Sequence, residues 1–137
     1  QAAQMSDIEE LISRFPMKYN QPLGVLNENG EELSMGQWQK LSIARALYAD
    51  APIVLLDEPS SALDAKSEKH LTSLMKQLSH NKTTIVVSHN LTLVNWADII
   101  YFLDKGELTE SGTHDYLMSL QGAYYEMYMA HTRLSGN

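Results

Sequence analysis

The sequence predicts an α/β fold centred on a parallel sheet, and three observations carry that reading. Ile53-Val54-Leu55-Leu56 runs without a break into Asp57-Glu58, and Pro59 stops it. A short unbroken apolar run fits a strand buried on both faces, as in a parallel sheet. Thr83-Thr84-Ile85-Val86-Val87-Ser88 reads as a second buried strand. Between them Leu71, Leu74, Met75 and Leu78 recur at helical spacing behind Asp64, a good N-cap. Strand, helix, strand is a βαβ unit, whose crossover is right-handed in nearly all cases. Parallel strands end on one edge, where open α/β folds place their ligands. His89, just past the second strand, is therefore expected near Asp57 and Glu58.

The other elements follow in order. Met5, Ile8, Leu11, Ile12 and Phe15 predict a helix over 2–15, with Ser6 and Asp7 available as caps and Pro16 as a stop. Residues 17–33, with Pro22, Gly24, Gly30 and three asparagines, read as loop. A second helix should open near Ser34, bury Leu41, Ala44, Leu47 and Tyr48, and end at Asp50 and Pro52. Leu91 to Ala97 is a short helix or turn. Ile99–Leu103 and Glu107–Glu110 pair as a hairpin through Asp104-Lys105-Gly106, glycine taking the position that favours positive φ. Thr113 caps a last helix pair broken at Gly122 and carrying Leu117, Leu120, Tyr124, Met127 and Tyr128. That Tyr/Met stripe reads as core, as do Trp38 and Trp96.

Composition excludes several functions. A net charge of −7 and the absence of any basic run argue against a nucleic-acid surface, which needs cations to offset phosphate. Without cysteine there is no disulfide, thiolate zinc site or thiol nucleophile. No apolar run approaches the roughly 20 residues of a membrane helix. With 44% apolar residues, the 137-residue chain can bury a core of its own. It opens at Gln1 and is expected to be a piece of something longer.

Four segments line up in sequence: Leu33-Ser34-Met35-Gly36-Gln37, Val54-Leu55-Leu56-Asp57-Glu58, Ser61-Ala62-Leu63-Asp64, and His89. In this order they resemble the signature motif, Walker B strand, D-loop and switch histidine of the ABC transporter ATP-binding domain. The likeness extends along Leu33 to Leu47, and Gly106 to His114 is similar to the tail of exporter-type members. The resemblance implies a P-loop NTPase-like (RecA-like) parallel sheet with helices and an α-helical subdomain. Residues 1–49 would be the helical subdomain with the signature motif, and 50–137 the carboxyl-terminal part of the ATPase core. No G-x-x-x-x-G-K-[ST] loop occurs in the chain, so the domain reads as partial, without its Walker A half.

The residues make chemical sense in the roles that the family implies. Asp57 would hold Mg²⁺, largely through water, and Glu58 would orient or deprotonate the attacking water. Alone, the acidic pair reads as the solvated end of a core strand. His89 would contact the γ-phosphate of ATP; alone, it reads as an edge residue. Ser34 opens a helix, where free N–H groups and the dipole bind anions; alone, it is an N-cap. Gly36 has no side chain to keep the backbone from a phosphate, and Gln37 adds a donor. Asp64 is a helix cap, a D-loop contact to a partner domain, or both. Met35 replaces the first of the family's two signature glycines and either crowds the phosphate or points aside.

The implied function is ATP hydrolysis that drives export of a substrate across a membrane. The implied partners are a second ATP-binding domain, identical or not, and a transmembrane domain, with no nucleic acid. The implied location is the cytoplasmic side of the cell membrane, peripheral or fused to the membrane part. Two rivals stand beside this reading. One is a catalytically incomplete half-domain that only dimerises or regulates. The other is a chromosome-maintenance or repair ATPase, whose long heptad arms and basic surfaces the sequence lacks.

Overall fold

Asp7 breaks the first predicted helix in two. In the computed structural model, which describes residues 1–26 and 29–135, α1 spans Ala2–Met5 and α2 Glu9–Arg14. Between them Asp7 turns left-handed, φ 59°, and binds Lys40 at 2.8 Å. It caps nothing: the N-cap of α2 is Ile8, and Ser6 donates back to the Ala3 carbonyl. The apolar spacing survives the break, because Ala3, Ile8 and Ile12 still cluster with Ala44. The loop that follows holds a 3₁₀ turn at Lys18–Asn20 and a Leu23–Glu31 bridge. Asn27 and Glu28, within the stretch read as loop, lie outside the described residues.

Helix α3, Met35–Tyr48, opens at Ser34 as expected. Its buried residues are Ile43 and Ala44, and Leu41 packs against the cluster that holds Ala44, whereas Tyr48 is exposed. The chain then enters β1 (Ile53–Asp57), crosses through α4 (Ala65–Ser79) and returns as β2 (Thr83–Val87), parallel to β1. All four apolar residues expected on α4 are buried, and α4 packs along β2. One expectation fails here. The strands are not buried on both faces: Val54 and Leu56 are covered, while Ile53, Leu55, Ile85 and Val87 are exposed, Leu55 by 66%. An unbroken apolar run says that both faces suit a core, not that this chain supplies both covers.

These elements form one compact unit, Gln1–Val87, and Ser88–Asn137 forms another. The second unit holds α5 (Leu91–Val94), the antiparallel hairpin β3 (Ile100–Asp104) and β4 (Glu107–Gly112), then α6 (His114–Leu120) and α7 (Ala123–Ser135). Lys105 and Gly106, at φ 49° and 82°, make the two-residue turn whose twist suits a hairpin. Thr113 caps α6, and the helix pair breaks at Gly122. Leu117 and Tyr124 are fully buried with Leu91 and Ile100, so the stripe is core there, but Leu120 and Met127 are exposed. Burial pushes the Tyr124 phenol up to about 12, and its hydroxyl lies 2.8 Å from His114 Nδ1. No helix among the described residues is long and apolar enough to cross a membrane.

Three carboxylates give the first unit a pH dependence. The Lys40 ammonium holds Asp7 below its ordinary 3.8, Lys82 does the same for Asp50, and the Ser67 amide for Asp64. The unfolded chain therefore binds protons at a higher pH than the folded one. This stability is fully present above about pH 4 and is lost as pH falls through the lowered folded values. We expect the thermal transition to drop over that range, and Lys40→Met to flatten part of the slope; an unchanged slope would deny the Asp7 contribution.

Candidate functional site

Strands β1 and β2 end level with each other, Asp57 opposite Val87. The ladder runs one step further, the Glu58 amide donating to the Val87 carbonyl at 2.8 Å. Asp57 is exposed, and Glu58 is half-buried with a left-handed backbone, φ 44°. For a residue with a Cβ this conformation costs about 1–2 kcal/mol. Neighbouring bonds must hold it there.

Many of those bonds come from one side chain. Gln39 Nε2 donates to the Glu58 carbonyl at 2.7 Å and, more weakly, to Ser61 Oγ at 3.4 Å, while Gln39 Oε1 accepts from the Ala62 amide at 3.0 Å. Sequence reasoning missed Gln39. The available signal was its place three residues after Gly36, on the same face of α3. Gly36 meets the same loop: a Cβ there would lie 2.7 Å from the Ala62 carbonyl oxygen. Its missing side chain thus serves a contact inside the chain, where the sequence reading had reserved the space for a phosphate.

At the start of α3, Ser34 and Gln37 form a capping box. Ser34 Oγ accepts from the Gln37 amide at 3.3 Å, and Gln37 Oε1 accepts from the Ser34 amide at 2.9 Å. The box uses only the accepting oxygen of each side chain. The Ser34 O–H, the Gln37 Nε2–H groups and the first-turn amides of Met35 and Gly36 are not consumed by it. That donor set suits an anion. Met35 is 78% exposed, so its side chain stands clear of the rest of the chain. Asp64 caps α4 through the Ser67 amide at 2.8 Å, which accounts for its lowered pKa.

The first unit therefore gathers the α3 start (Ser34, Gly36, Gln37) and the β1–α4 connection (Asp57, Glu58, Asp64), tied by Gln39. His89 belongs to the second unit, exposed between Ser88 and Asn90, two residues beyond the end of β2. Among the described residues no group of three or more His, Cys, Asp or Glu gathers to hold a metal. A single carboxylate, Asp57, fits an ion that keeps much of its water and takes phosphate oxygens as further ligands.

Comparison with known proteins gives this geometry a context. A family model described as ABC transporter matches residues 2–61. The chain is 45% identical over 126 residues to an ATP-dependent lipid A-core flippase of Neisseria meningitidis, covering 92% of this chain and 20% of the flippase. It is also 45% identical to multidrug resistance protein homolog 65 of Drosophila melanogaster, over 94% of this chain and 10% of that protein. The chain thus spans a fifth or less of the length of these relatives. Among solved structures, a bacterial Atm1-family ABC exporter with ATP bound superposes with a TM-score of 0.83 at 36% identity, over 96% of this chain and 23% of that one. The α/β, P-loop NTPase-like fold expected from the motifs is the fold of that match, and over residues 2–61 the chain matches the ABC transporter family.

Proposed function

We propose that this chain works as the later portion of an ATP-binding domain that hydrolyses ATP to drive export across a membrane. The observation that carries this reading is the acidic end of β1, with Glu58 held left-handed at the carboxyl edge of a parallel strand pair. In this reading Asp57 holds Mg²⁺, which would neutralise phosphate charge. Glu58 takes the proton of the attacking water or orients it. His89 bonds the γ-phosphate of a bound nucleotide. Ser34, Gly36 and Gln37 present their donors to the ATP of a second ATP-binding domain, and Asp64 touches that partner. A transmembrane domain carries the substrate, which puts this chain on the cytoplasmic side of the membrane. The flippase and multidrug names of the relatives support export as the direction.

ATP hydrolysis by the full-length protein in vesicles tests the reading directly. Turnover lowered by His89→Ala with binding kept supports the phosphate role; unchanged turnover returns His89 to an edge residue. Dimerisation without any hydrolysis would favour the regulatory half-domain instead.

Two further outcomes are expected. Met35→Gly should be near neutral for turnover and cost at most about 1 kcal/mol of stability, because the methionine stands clear of the chain. A clear gain of turnover would mean that it crowds the phosphate. These 137 residues alone, having no G-x-x-x-x-G-K-[ST] loop, should bind Mg-ATP no tighter than about millimolar, roughly −4 kcal/mol. Calorimetric titration checks this, and micromolar binding would overturn it.

A further inference from the structure

Gln39 spans from the anion-facing start of one helix to the loop that carries the acid. It lies on α3, five residues past Ser34, and all three of its side-chain hydrogen bonds go to the segment 58–62. The strongest, at 2.7 Å, goes to the carbonyl of Glu58. On the other side of that residue, the Glu58 amide is tied to the end of β2. The left-handed backbone of Glu58 is therefore gripped at both peptide groups, its amide by the sheet and its carbonyl by α3 and, at 3.2 Å, by the Ser61 amide. Backbone held in a sparsely populated conformation persists only where its surroundings over-determine it. Where that residue is an acid at a strand end, the conformation sets where the carboxylate aims.

We propose that Gln39 is a positioning residue for Glu58: its amide donor fixes the Glu58 carbonyl and thereby the aim of the catalytic carboxylate. The inference rests on the reading of Glu58 given above. Gly36 makes the grip possible, since the close approach of its backbone to Ala62 brings the Gln39 face of α3 against the loop. It follows that the helix start meeting one nucleotide and the acid serving another share a rigid connection one helical turn long. A shift of the α3 start then moves the Glu58 carbonyl with it.

The test uses Gln39→Glu and Gln39→Met in the full-length protein. Gln39→Glu keeps the acceptor for the Ala62 amide and removes the donor to Glu58; Gln39→Met keeps the length and removes both without adding charge. We expect kcat for ATP to fall about tenfold in each, the scale of a lost orienting contact, with nucleotide affinity within about twofold. Wild-type kcat in either variant overturns the proposal, as does a loss of kcat that tracks equal losses of affinity and thermal stability in both. Glu58→Gln run alongside separates the two levels of failure. Turnover surviving in Glu58→Gln removes the reading of Glu58 and this inference together. Turnover lost there but kept in the Gln39 variants removes only the inference.

Discussion

Glu58→Gln in the full-length protein is expected to cut ATP hydrolysis by about 10²-fold or more, the scale of losing a general base. Nucleotide binding should stay within a few-fold of wild type, because the amide has the shape of the carboxylate and Asp57 remains. Glu58 is half-buried and bonded at both ends of its backbone, so the loop should keep its conformation when only the side-chain charge is removed. Turnover and binding measured on the same preparation separate the two effects. Steady-state turnover within about threefold of wild type would show that Glu58 neither accepts a proton nor orients the water.

The second large effect is expected from Gly36→Ala, where two terms oppose each other. Alanine favours a helix over glycine by at most about 1 kcal/mol. Its Cβ would lie 2.7 Å from the Ala62 carbonyl oxygen, a backbone atom that cannot rotate away. Overpacking of this kind costs about 1–3 kcal/mol, so the clash outweighs the propensity. The thermal transition should fall by several degrees, and turnover should fall further, because the same shift separates Gln39 from Glu58. A variant as stable and active as wild type would mean that the 58–62 loop gives way at no cost.

Much of the candidate site is legible in the sequence where its determinants are local. Ser34, Asp64 and Thr113 are capping residues, and each caps its expected helix, since a cap needs only an oxygen two or three residues from an amide. The β1–α4–β2 crossover is read from two apolar runs and one helical period, and the strand pairing follows from it. Non-local features were not legible. Asp7 splits the first helix by pairing with Lys40, 33 residues away, and no spacing within 2–15 announces that partner. Tyr48 sits on the period of α3 yet is exposed, because what covers a helix face is set by the rest of the fold.

The sequence by itself determined which residues could do chemistry: an acid pair ending a buried-type strand, a capped helix start with spare donors, and a histidine past a second strand. Those are properties of composition and short-range spacing, and with the Ser61–Asp64 segment they make four motifs in the order that resembles the ABC family. Only the tertiary structure decided how they are held. Glu58 turns left-handed because the end of β2 and the Gln39 amide bind its two peptide groups across 29 and 19 residues of chain. Gly36 is needed for the Ala62 carbonyl that lies against it. The apolar faces of Ile53, Leu55, Ile85 and Val87 remain exposed here although their sequence is that of a core. Hydrogen bonds and steric contacts between distant segments depend on where the chain returns in space, and a one-dimensional pattern carries no coordinate for that.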